Sequence, residues 1–284
     1  MSVLKPDLLR LLLNNLSFGP AYADGLIEKL SGDSRHSSAS PFERYQWYIA
    51  VLSANNNKVR RRGVRSLTFL FAHLNFEAGM HAVTANSQSI HLQLAMAYFQ
   101  DFLSWESGSP DTRYYAQYRL GVIQRFLGSP WPAVEESLLN AVEFDSLRGE
   151  ATKEIIEHYL KEHQWRNAYI FSSYAVREFF GKCPSNSRSW FIDTPFYLWQ
   201  VLDYHVPVCL TLRKKDEALQ YLKILQQYAW HHPGELDQEV LTRMDQCAAA
   251  LTCPAQPAAT KTLPIKTFTN ETPGHETLRT QFHL

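Results

Sequence analysis

The chain has 284 residues, 45% of them apolar, with 28 Lys and Arg balanced by 28 Asp and Glu. That composition excludes a disordered chain and supplies ample core material, while the zero net charge excludes a global field that would draw the protein to nucleic acid or an anionic membrane. The stretch Leu8 to Leu13 is interrupted by Arg10 and followed by Asn14 and Asn15, which makes a poor signal peptide, and no window reaches the roughly 18 apolar residues of a membrane span. Cys183, Cys209, Cys247 and Cys253 lack paired metal-ligand spacing, so reduced thiols in a cytoplasmic protein without cofactor or metal are expected.

Taken in chain order, nearly every segment to about residue 251 reads as helix. Pro6 and Pro20 sit at first-turn positions. Ser40, Pro41 and Glu43 form a capping box that opens a helix carrying Tyr45, Trp47, Tyr48, Val51 and Leu52. A helix from about Lys58 to His73 follows, then one from Ser89 to about Trp105 with Ile90, Leu94, Met96, Ala97 and Phe99. Gly108–Ser109–Pro110 resets the chain before a helix over Asp111 to Leu127, in which Gly121 is costly unless a neighbouring helix packs closely against it.

Helices over 131–144, 147–162 and 164–180 come next, joined by turns short enough to force antiparallel neighbours. Residues 181–189 are polar and turn-forming. Thr194–Pro195 restarts a helix that Pro207 should kink, and 214–228 and 235–251 complete the set. From residue 254 the composition shifts to Pro, Thr, Ala and Gln, so 1–253 is expected to be one helical domain and 254–284 an extended or disordered tail.

One pattern occurs three times: a helix end, a short turn, and a helix that opens with a small residue. It runs from Leu127–Gly128 to Ala133 and Ala141, from Glu162–His163 to Ala168 and Ala175, and from Leu212–Arg213 to Ala218 and Leu225. The first two small-residue anchors are 35 residues apart and the next interval is 50. The first spacing is close to the tetratricopeptide period of about 34 residues. The fold class expected is therefore all-α, a tetratricopeptide-like right-handed superhelical array of antiparallel helix pairs with an insertion of about half a repeat.

From about Leu94 to Gln226 the chain resembles the tetratricopeptide-like helical region attached to some bacterial family two glycosyltransferases. The residues that carry the likeness are Ala95, Tyr98, Tyr114, Tyr115, Tyr118, Leu138, Ala141, Arg148, Glu150, Trp165, Arg166, Ala168, Tyr169, Phe191, Ile192, Asp193, Tyr197, Trp199, Asp203, Glu217 and Ala218. The catalytic domain of those enzymes, with its metal-binding Asp-x-Asp, has no counterpart, since no Asp-x-Asp occurs in the sequence. The resemblance implies a helical module associated with a glycosyltransferase or peptide-modifying pathway, without the catalysis.

Three groups of residues are candidate sites. The first is the surface lined by Tyr114, Tyr118, Arg148, Trp165 and Tyr197, extended by Trp199 and Asp203, because Trp, Tyr and Arg dominate interface hot spots. The second is an aromatic pocket with Asp193, Asp203 and His205, which would suit a helical transferase or hydrolase. The third is the basic run Lys58, Arg60, Arg61, Arg62 and Arg65, which would hold phosphate or nucleic acid. His158 and His163 are five apart and share no helix face for a metal, and His231 and His232 suit a helix end. No P-loop, nucleophile elbow or zinc-protease motif is present. The expectation is a non-catalytic scaffold or adaptor with a protein or peptide partner, compatible with homo-oligomers and with neither membrane nor nucleic acid.

Overall fold

A computed structural model of the chain describes residues 64–104, 108–184 and 191–252. The Ser40–Glu43 capping box, Arg60, Arg61, Arg62 and the 254–284 tail lie outside the described residues, as does the Arg65 side chain. Among the described residues the regular secondary structure is helical, with no strand. The helices are α1 (Val64–Met80), α2 (Ala85–Ser104), α3 (Pro110–Phe126), α4 (Trp131–Phe144), α5 (Glu150–Lys161), α6 (Trp165–Glu178), α7 (Val201–Thr211), α8 (Lys215–His231) and α9 (Gln238–Thr252), with a π-helical turn at Phe196–Gln200 just before α7. The chain divides into two compact units, 1–154 with 183–194 and 155–182 with 195–284.

In the first unit α1 packs on α2, α2 on α3 and α3 on α4. Its core is aromatic: Phe69 meets Phe102 edge-on at 5.1 Å and lies 5.7 Å from Tyr115. Two glycines set the closest approaches. A β-carbon on Gly79 would fall 2.8 Å from the Leu92 side chain, and one on Gly121 would fall 2.8 Å from Leu138. The close contact expected at Gly121 is therefore present between α3 and α4. Helix α3 opens with Pro110 at its first position and Ser109 as cap, the hydroxyl accepting from the Thr112 amide at 3.2 Å.

Helix α2 buries Leu92, Ala95, Phe99 and Phe102, while Ile90 and Leu94 are exposed. Of the apolar residues expected on this helix, Phe99 is buried and Met96 packs against the core, whereas Ile90 and Leu94 face outward and Leu92, Ala95 and Phe102 complete the inner stripe. Helix α1 continues past His73 to Met80 because His73 and Asn75 are buried with partners, Tyr115 Oη and the Phe71 carbonyl, each at 2.9 Å.

All three turns recognised in the sequence close alike. Gly128, His163 and Arg213 have φ of 76°, 55° and 61°, and the next residue's amide reaches back to the carbonyls of Gln124, Tyr159 and Cys209 at 2.9, 2.8 and 2.8 Å. These are Schellman caps, which satisfy helix-end carbonyls and turn the chain sharply. After the second and third caps, Ala168 and Ala218 are fully buried. After the first, Ala133 is only half-buried and Val134, Leu138 and Ala141 take the inner positions. The Ser129–Pro130 connection is one residue longer than Gln164 or Lys214, so the inner face of α4 starts one residue later.

The second unit is organised around α7, which packs against α6, α8 and α9. Val201 through Cys209 are all buried, so this helix is covered all round. Pro207 lies inside it, and the helix continues to Thr211, whose hydroxyl donates to the Pro207 carbonyl at 2.9 Å.

Candidate functional site

In the first unit Arg148, just before α5, is 1% exposed. Nη1 donates to Asp111 at 2.6 Å, Nε to Glu150 at 2.9 Å and Nη2 to the Phe191 carbonyl at 3.0 Å, and the guanidinium lies 4.7 Å from the centre of the Tyr114 ring. Such a fork holds together because each of its three nitrogens meets an acceptor, which favours burial of an arginine. Tyr114 is also fully buried. Its hydroxyl donates to Glu150 at 3.1 Å and accepts the Ala151 amide at 2.9 Å. Tyr118 stacks on Tyr114 and donates to Glu154 at 3.3 Å, and Glu154 pairs with Arg125. Burial and the neighbouring Glu154 charge push the Tyr118 hydroxyl well above its ordinary value, so it remains a donor. Lys153 takes Asp193 at 2.6 Å.

In the second unit Tyr197 is fully buried against Phe179, its carbonyl accepting from Gly181 at 2.8 Å. Trp165 and Trp199 are half-buried, and Trp165 lies 5.4 Å from the His163 ring. Asp203, 3% exposed, is held by both arms of Arg243, Oδ2 to Nη2 at 2.6 Å and Oδ1 to Nε at 3.2 Å. Burial raises its carboxyl, and the Arg243 bond opposes that shift. His205 is fully buried, with Nδ1 at 2.8 Å from Ser172 Oγ and Nε2 at 3.0 Å from Glu217 Oε1. Burial lowers its pKa, so the ring is neutral near pH 7. The order serine, histidine, glutamate is that of an activated nucleophile, but Ser172 is itself fully buried, with its hydroxyl 3.4 Å from the Tyr169 carbonyl.

Of the seven residues expected to contact a partner, Tyr114, Arg148, Tyr197 and Asp203 are thus interior groups. As for the expected aromatic pocket, Asp193 is engaged by Lys153, Asp203 by Arg243, and His205 by Ser172 and Glu217. The surface instead presents apolar residues on other faces: Val83 at 85% exposure, Leu147 at 74%, Ile170 at 62% and Trp230 at 84%. Trp230 stands beside an open depression of about 310 Å³ lined with Lys223, Gln226, Gln227 and His231, all on the outer side of α8. The grouping His205, Cys209 and Glu217 has a sequence signal in its first two members, a His-x-x-x-Cys step that shares one helix face. Glu217 joins them only once the Arg213 turn folds α8 back.

No family model, curated protein or solved structure matches this chain. Among the described residues no helix is long and apolar enough to cross a membrane.

Proposed function

We propose that the chain is a non-catalytic scaffold or adaptor of tetratricopeptide-like helical-repeat type, binding a protein or peptide partner in the cytoplasm. The observation that carries this reading is Trp230, an indole 84% exposed on the outer face of α8, in line with Leu219, Lys223, Gln226 and Gln227. A large aromatic next to a depression, rimmed by amides and one lysine, has the anatomy of an interface hot spot. The engagement of Asp193, Asp203 and His205 by structural partners favours the same reading over a helical hydrolase. Buried free thiols at Cys209 and Cys247 suit a reducing compartment. The sequence resemblance makes a glycosyltransferase the first partner class to try.

The test is site-specific photo-cross-linking in cells with a photoreactive amino acid at position 230 of the full chain. A discrete adduct identified by mass spectrometry, absent when the label is at the buried position 225, is the expected result. Adduct with a second copy of this chain would make α8 a self-association surface, and no adduct at 230 would remove the reading.

A further inference from the structure

Three metal-ligating side chains of different hardness meet in the interior of the second unit. His205 and Cys209 stand one turn apart on α7, and Glu217 reaches them from the first turn of α8. Cys209 Sγ lies 3.2 Å from His205 Nε2, Glu217 Oε1 lies 3.0 Å from the same nitrogen, and all three ligand atoms fall within 4.8 Å of one another. One ring nitrogen serves the two neighbours unequally. Protonated, it donates to the carboxylate and meets the thiol sulfur only as a weak acceptor; unprotonated, it takes the thiol proton and faces the carboxylate lone pair against lone pair. A cation at that point satisfies all three electron-pair donors together.

The next layer of contacts fits the same arrangement. On the far side of the ring, Nδ1 is 2.8 Å from Ser172 Oγ, which is 3.4 Å from the Tyr169 carbonyl. With Nδ1–H donating to the serine and the serine donating onward, the tautomer presents the Nε2 lone pair to Cys209 and Glu217, as second-layer partners of ligating histidines do. The Tyr169 hydroxyl donates to Glu217 Oε2 at 3.0 Å and orients that carboxylate. Glu217 is 29% exposed while His205 is fully buried, so an ion arrives from the Glu217 side.

We infer that His205, Cys209 and Glu217 form a binding site for one divalent transition-metal ion of the zinc class, tying α7 to α8. Thiolate with imidazole selects zinc, cobalt or iron over magnesium and calcium. Tetrahedral bonds of about 2.0–2.3 Å set ligand atoms roughly 3.3–3.8 Å apart, so the two contacts to His205 Nε2 open by only a few tenths of an ångström, and Cys209 Sγ and the Glu217 oxygen, within 4.8 Å of each other, adjust through the partly exposed Glu217 side chain. Binding releases the Cys209 thiol proton to solvent, and water takes the fourth position at the open edge of Glu217. This inference stands apart from the scaffold reading, since the site lies within one helical hairpin.

The experiment strips the full-length protein with a chelator under reducing conditions and titrates it with cobalt and then zinc. One equivalent of cobalt per chain, a thiolate-to-cobalt charge-transfer band and its displacement by zinc are expected. Cys209→Ser and His205→Ala should lose the band, Cys247→Ser should keep it, and Ser172→Ala should keep it with affinity lowered about 10- to 100-fold. Glu217 is partly exposed, so Glu217→Gln is the variant least disturbing to the fold, and its affinity should also fall. Cobalt uptake without the thiolate band, undiminished binding by Glu217→Gln, or no stoichiometric uptake by the wild-type chain would overturn the inference. The wild-type spectrum decides alone if the core variants do not fold.

Discussion

Tyr114 donates its hydroxyl to Glu150 at 3.1 Å, a step of 36 residues, and Tyr118 repeats that step one turn later to Glu154 at 3.3 Å. Helix α3 is thereby bonded to α5 by two parallel rungs. Tyr114 also accepts the Ala151 amide, so Tyr114→Phe strands a buried amide and takes one of two donors from Glu150 Oε2, which keeps Arg148 Nε. A loss of about 1–3 kcal/mol is expected, read as a lower urea midpoint with an unchanged slope. An unchanged midpoint would show that the rung contributes nothing.

Gly121 makes a two-sided prediction. Alanine favours a helix by about 1 kcal/mol over glycine, but its β-carbon would lie 2.8 Å from Leu138 Cδ2 and 2.9 Å from Cγ. Overpacking of that kind costs about 1–3 kcal/mol, so Gly121→Ala should destabilise the wild type. In a Leu138→Ala background the obstruction is gone and the same substitution should stabilise. Equal effects in both backgrounds, measured by a double-mutant cycle, would contradict the close contact of α3 with α4.

His73 sets a pH dependence. Burial, reinforced by the Arg119 charge, lowers its pKa from 6.5 to about 3. The unfolded chain therefore binds the proton more readily between those values, and this group's contribution to stability falls as pH drops below 6.5. Going from pH 7 to pH 5 should cost about 2 kcal/mol through His73 alone. Burial raises the Glu77 carboxyl, which acts with the opposite sign, so the comparison is wild type against His73→Gln. The variant should lose about 2 kcal/mol less over that interval in urea titrations. Equal losses would mean that His73 accepts a proton in the folded protein.

Asp203 separates structure from chemistry. Its carboxylate is 4% exposed and bonded twice to Arg243, whose side chain is 18% exposed. Removing one partner of a buried pair typically costs about 3–5 kcal/mol, and the solvent edge of Arg243 lowers that to about 2 kcal/mol here. Asp203→Asn should shift the thermal midpoint down, and Asp203→Leu combined with Arg243→Met should recover most of the loss. Unchanged stability in Asp203→Asn would return that carboxylate to the list of functional groups.

The helical class and the three turns are legible in the sequence because helix ends need a left-handed residue and a break in polarity, and Gly128 announces one directly. His163 and Arg213 are less visible, since only the following small residue marks the turn. The inner face of α4 is misread by one position because nothing local reveals that Ser129–Pro130 lengthens the connection. Burial of Arg148 is invisible in sequence: arginine is ordinarily a surface residue, and only the arrival of Asp111, Glu150 and the Phe191 carbonyl around it makes the interior affordable. The same holds for Asp203, whose partner lies 40 residues away. The His205–Cys209 step is readable as a shared helix face, whereas the third member requires the fold.

The most direct measurement is the affinity of the cross-linked partner, once purified, for three full-length proteins: wild type, Trp230→Ala, and the double variant Tyr118→Ala with Arg148→Ala. Trp230→Ala should weaken binding by more than about 2 kcal/mol, roughly 30-fold, with the unfolding midpoint unchanged, as hot-spot truncation does. The double variant should show a large fall in the unfolding midpoint, because Arg148 is interior. Full affinity in Trp230→Ala, together with lost binding and an unchanged midpoint in the double variant, would contradict both expectations.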